Sequence, residues 1–143
     1  MTDDDRSTCA ALAGLLRAAA LLAGWAFALM CMATLVLALT ARSLPAASIV
    51  GFGAAVVLGL LERYFALRLR YDEALFDGLA RGTVASLQSL DHALAALGLR
   101  EASSTRPLAE RVQGTRRLMR WHAIVVACQS AMFLFGLMAQ DIS

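Results

Sequence analysis

Few side chains in this sequence could perform chemistry, and their spacing argues against the commonest kinds. Cys9, Cys31, Cys128, His92 and His122 form no CxxC and no HExxH pattern, so the ligand spacing of a metal or haem site is missing. No cofactor and no metal is expected. On helices rising about 1.5 Å per residue, Cys31 and Cys128 fall at different depths, beyond disulfide reach, and the thiols read as inert core residues. His92, which follows Asp91, reads as a solvated surface imidazole, and His122, beside Trp121, as an interfacial one. Glu62-Arg63 and Asp72-Glu73 read as ordinary boundary and helix-surface charges. One constellation keeps a chemical alternative open. Glu62, Arg63, Arg120 and His122 all border apolar runs, and together they could form the site of a small transporter or membrane enzyme.

The elements that must position these residues are three runs without Asp, Glu, Lys or Arg in their interiors, at about 18–41, 44–61 and 121–140. Each is long enough to cross a hydrocarbon core of roughly 30 Å as a helix. The first is apolar all the way round, which a helix at the surface of a soluble domain is not. With 59% apolar residues in 143, the chain is expected to be an all-α integral membrane protein, a single membrane domain with three transmembrane helices and a cytoplasmic helical hairpin between the second and third. The start, Met-Thr-Asp-Asp-Asp-Arg, lacks the basic region of a secretory signal, so no cleavage is expected. Neither Cys9 nor Cys31 follows the small-residue pattern of a lipidation site.

All 13 positive charges are arginine, and lysine and asparagine are both absent, the mark of a GC-rich, bacterial coding sequence. That bias removes any argument that arginine was selected for its fork, and a net charge of +2 is too small to call for a polyanion, so no nucleic-acid partner is expected. The distribution of arginine is more telling. Ten of them, from Arg63 to Arg120, lie between the second and third runs, and only Arg42 lies between the first and second. The long segment is therefore expected inside, with the N-terminus cytoplasmic and the C-terminus periplasmic or extracellular, in a bacterial inner membrane.

Small residues mark possible contact faces. Ala47, Gly51, Ala55 and Gly59 recur every four residues in the second run, and such a ridge lets a neighbouring backbone approach closely. Ala20, Gly24 and Ala28 offer the same spacing in the first run, and Ala123, Ala127 and Ala131 in the third, where Gln129 and Ser130 could bond between helices. Gly51, Ala55 and Gly59 are accordingly candidates for binding a partner helix, or for closing a compact three-helix bundle.

The insertion at 62–120 is expected to be helical. The stretch from Glu62 to Tyr71 interleaves aromatics with arginine and carries no breaker, so the second helix should continue past the membrane. A straight run to Leu97 would extend about 50 Å, whereas 107–120 can return only about 20 Å, which calls for a bend near Gly78 to Gly82 and places 62–77 along the membrane surface. Beyond it Leu87, Leu90, Leu94 and Leu97 form a seam at alternating three- and four-residue steps, and Gly98 and Pro107 mark the turn into a returning arm. The seam exceeds what Leu108, Val112 and Met119 can cover, so it is the expected cytoplasmic docking surface. These features point to a non-enzymatic accessory or scaffold subunit of a bacterial inner-membrane complex, whose partners are the lipid bilayer and other membrane subunits or further copies of itself. A self-assembling, holin-like pore is the alternative from a different class, disfavoured by the lack of a polar stripe to line water.

Overall fold

The computed structural model of the chain describes residues 2–82 and 108–140, which form three long helices, α1 (Asp3–Thr40), α2 (Ala46–Ala80) and α3 (Leu108–Met138). All three are long and apolar enough to cross a membrane. The leucine seam, His92, Gly98 and Pro107 lie outside the described residues, as does the C-terminal tripeptide.

Local chemistry explains the helix ends. Thr2 and Asp5 close a capping box at the start of α1: the Asp5 amide donates to Thr2 Oγ1 (3.2 Å) and the Thr2 amide donates to Asp5 Oδ2 (2.9 Å). Asp3, Asp4 and Asp5 in the first turn also complement the helix dipole. The hydrogen bond from the Thr2 amide holds the Asp5 carboxyl below its ordinary range. After Thr40 a short turn, closed by the Ser43 amide on the Thr40 carbonyl at 2.9 Å, leads to Pro45, whose fixed φ of −58° opens α2. At the far end of α2, Gly82 adopts φ +71° and its amide donates to the Leu79 carbonyl (3.3 Å), a left-handed stop that costs glycine little.

With 38, 35 and 31 residues, the helices extend about 57, 52 and 46 Å, so each overhangs a hydrocarbon core of roughly 30 Å. α2 runs antiparallel to both neighbours and packs along each, and α1 and α3 touch over a shorter stretch. Two apolar clusters result. Near the Arg42 turn, Leu29 and Ala33 of α1 meet Phe52 and Ala55 of α2 and Phe133 of α3, with the Phe52 and Phe133 rings edge to face at 5.5 Å. At the arginine-rich end, Cys9, Leu12, Ala13 and Leu16 pack on Leu69, Phe76 and Leu79, with Leu108, Val112 and Met119 alongside.

This second cluster corrects the expected course of 62–77. That stretch does not leave the bundle, because α2 continues unbroken to Ala80 and packs on α1. The reason is the start of the chain: residues 3–17 are helical and present Cys9, Leu12 and Leu16 as a protein surface for Leu69 and Phe76 to bury against. Gly78 sits inside the helix, which ends at the left-handed backbone of Gly82. Tyr64, Leu67 and Tyr71 remain on the exposed side. Salt bridges from Arg17 to Glu73 (3.2 Å) and Asp77 (3.6 Å) tie the two overhangs together. Thr115 Oγ1 donates to Asp72 Oδ2 at 2.9 Å, tying α2 to α3. Burial pushes the Asp72 carboxyl above its ordinary range, against the hydrogen bond from Thr115 and the charge of Arg68.

Candidate functional site: a buried carboxylate, imidazole and guanidinium layer

Between the two apolar clusters lies a polar layer. α1 contributes Ala23 and Ala26, both fully or nearly fully buried, whose small side chains leave the helix backbone open to neighbours. α2 contributes Glu62, at 0% exposure, one residue past its apolar run, and α3 contributes His122, at 1%, at the start of its own. The antiparallel register of α2 and α3 brings them together: His122 Nε2 lies 2.8 Å from Glu62 Oε1. The second carboxylate oxygen, Oε2, accepts from Arg63 Nε at 2.7 Å and Nη2 at 2.6 Å. Arg63 Nη2 also donates to the Ala23 carbonyl. Its guanidinium carbon stands 5.1 Å from the centre of the Phe27 ring, a cation–π contact that holds the half-exposed head against α1.

Gln129, two turns further along α3, extends the layer by donating from Nε2 to the Ala26 carbonyl at 2.9 Å. Its Oε1 is buried without a hydrogen-bond partner. A crevice of about 10 Å³ adjoins His122 between Leu16, Ala23, Ala66 and Leu69, near the smallest space that holds one water.

A carboxylate and an imidazole one hydrogen bond apart can share a proton along the line between them, and a further proton on the ring would make the layer cationic. A buried charge is tolerated when it is paired and hydrogen-bonded, and both Glu62 oxygens meet that requirement inside the chain. Both residues thus depart from their surface readings: the pair is interior because α1 packs over it around Ala23. Arg120 does not join, for its side chain is exposed. Among the described residues no three His, Cys, Asp or Glu side chains converge as metal ligands.

Of the α2 ridge, Gly51, Ala55 and Gly59 are interior and Ala47 at its start is exposed. Gly51 faces the Gly136 backbone of α3 so closely that an added Cβ would lie 2.7 Å from Gly136 Cα and amide nitrogen. At Gly59 it would lie 2.8 Å from Met30 of α1 and 2.9 Å from Gln129 of α3, and Ala55 is buried in the apolar cluster beside Phe52. The ridges of the other two helices point elsewhere: Gly24, Ala28, Ala123, Ala127 and Ala131 are exposed, while α1 turns Ala23, Ala26, Leu29 and Ala33 inward. The thiols also divide. Cys9 is buried, which raises its thiol above the ordinary range, whereas Cys31 and Cys128 are exposed on the outer surface rather than in the core. Leu87, Leu90, Leu94 and Leu97 lie outside the described residues.

No protein-family model matches the chain, and no curated protein and no solved structure is significantly similar to it.

Proposed function

We propose that the chain is a non-enzymatic accessory or scaffold subunit of a bacterial inner-membrane complex. In this reading α1, α2 and α3 all cross the bilayer, the N-terminus and the arginine-rich segment lie in the cytoplasm, and the C-terminus lies outside. The observation that carries the reading is the closure of the polar layer: Glu62 spends both oxygens on His122 and Arg63 within the chain, as a clamp that fixes helix register would. Gly51 against Gly136 closes the far half of the bundle in the same self-contained way. A rigid unit of this kind leaves large apolar side chains such as Leu21, Trp25, Leu60 and Met138 outward for lipid or a neighbouring subunit, and in this reading the sequence seam of Leu87, Leu90, Leu94 and Leu97 serves a partner in the cytoplasm.

The same layer favours one second reading. An ionisable pair buried where three helices leave the apolar zone is a recurrent feature of small transporters and membrane enzymes, and Arg63 links it to the exposed surface. Purification of the tagged chain in mild detergent separates the readings. The scaffold proposal expects a stoichiometric foreign membrane subunit, released by Leu90→Glu/Leu94→Glu while the variant stays in the membrane fraction. A ladder of homo-oligomers would support the pore instead, a monomer retaining a small molecule would support the transporter or enzyme, and a partner retained by the inserted double variant would remove the seam as the docking element.

A further inference from the structure

α3 carries its arginines straight into its apolar run, with no break between Leu108 and Met138. Arg116 and Arg120 are four residues apart, Arg117 and Arg120 three, and Arg117 and Trp121 four, so their side chains crowd one side of the helix. That side lines a groove of about 1010 Å³ beside the first turns of α1, walled by Arg116, Arg117, Arg120, Trp121 and Ile124 and reaching Asp5 at its far end. Arg17, Arg63 and Arg81 are tied to acids of α2. By contrast, Arg116, Arg117 and Arg120 are exposed, and none of them pairs with a carboxylate of the described residues. Asp5, the acid that reaches the groove, is already engaged by the Thr2 amide.

We infer that this groove is a binding site for the phosphate of an anionic phospholipid headgroup. Guanidinium groups present paired N–H donors that match phosphate oxygens, and basic pockets at the ends of transmembrane helices attract anionic lipids. The position selects a lipid over free phosphate. Trp121 and Ile124, 50% and 43% exposed, continue the groove into the apolar zone within about 12 Å of Arg116 along the helix, where an acyl chain attached to the same phosphate would lie. The site rests on the reading of α3 as a membrane span and adds to it a specific lipid class.

Native mass spectrometry of the full chain in mild detergent tests the inference, with dioleoyl phosphatidylglycerol, dioleoyl phosphatidylcholine and inorganic phosphate as probes. The chain should retain phosphatidylglycerol over phosphatidylcholine by roughly tenfold or more, and Arg116→Gln/Arg117→Gln/Arg120→Gln should abolish that preference. The exposed set Arg6→Gln/Arg42→Gln/Arg70→Gln removes the same charge elsewhere and should keep it. Equal retention of the two lipids, or equal loss in both triple variants, would overturn the site. Displacement of the lipid by inorganic phosphate alone would show a free-anion site instead. Fractionation of the same cells keeps the premises apart: a chain that does not sediment with membranes contradicts the spanning reading, while an inserted chain without lipid preference contradicts this inference only.

Discussion

Glu62→Ala is expected to destabilise the bundle by about 3–5 kcal/mol, because removing one member of a buried pair leaves its partners' polar groups desolvated and unpaired. His122 is 1% exposed, and its Nε2, 2.8 Å from Glu62 Oε1, would face a cavity. Arg63 is better placed, since its half-exposed guanidinium can reach toward solvent along its own stem. Glu62→Gln should cost less, because an amide oxygen still accepts from His122 while the charge opposite Arg63 is lost. The informative variant is Glu62→Met/His122→Leu, which replaces both buried polar groups with apolar side chains of similar size. If the layer is a structural clamp, the double variant should melt within about 1 kcal/mol of the parent and still hold its partners. Thermal melting in mild detergent measures all three. A Glu62→Ala chain that melts like the parent would contradict the burial of the pair. A double variant that melts like the parent yet has lost its function would move the layer from register to chemistry.

The second large effect is expected at Gly51. A methyl group there meets Gly136 Cα and N at 2.7 Å and the Met132 carbonyl at 3.1 Å, all backbone atoms that cannot rotate away. Gly51→Leu should therefore cost about 3 kcal/mol or more, at the upper end of overpacking penalties, because the two helices must separate. Gly59 is crowded by Met30 Cβ and Cγ and by Gln129 Nε2; of these the Gln129 amide and Met30 Cγ can rotate away while Met30 Cβ cannot, so Gly59→Ala should cost somewhat less than Gly51→Ala. Gly24 and Gly53 have open space at the Cβ position, so Gly24→Ala and Gly53→Ala should be neutral or slightly stabilising through helix propensity. Melting temperatures of the four alanine variants check the order. Indistinguishable values at Gly51 and Gly53 would mean that the ridge is a matter of composition alone.

The spans were legible because charge-free runs of that length have few other homes, and the α2 ridge because glycine every eighth residue at one helical phase is hard to place otherwise. The ridges read on α1 and α3 lie outside the contacts of the bundle for a compositional reason. In helices this rich in alanine several faces carry small residues, and the true inward face of α1, Ala23, Ala26, Leu29 and Ala33, mixes three- and four-residue steps with a leucine. The Glu62 and His122 pair needed one further quantity, the register between α2 and α3. Glu62 follows the C-terminal end of its apolar run and His122 opens the N-terminal end of its own, and an antiparallel pairing of those runs sets them opposite each other. The overhang of α1 was not legible because residues 3–17 are too charged to register as apolar, although Cys9, Leu12 and Leu16 follow a helical period there. Without that surface, a length mismatch in the insertion looked like evidence for a bend onto the membrane.

Everything proposed here depends on three crossings that place the arginine-rich segment on one side and the C-terminus on the other. Ten arginines between the second and third apolar runs, from Arg63 to Arg120, against Arg42 alone between the first and second, are the argument for the proposed inside location. The direct measurement is accessibility to a membrane-impermeant thiol reagent in intact cells, using single cysteines at Ser104 and Ser143 in a chain whose Cys9, Cys31 and Cys128 are changed to serine. Ser143→Cys should label in intact cells, and Ser104→Cys only after the membrane is opened. Labelling of both positions from the same side would contradict the three-span account.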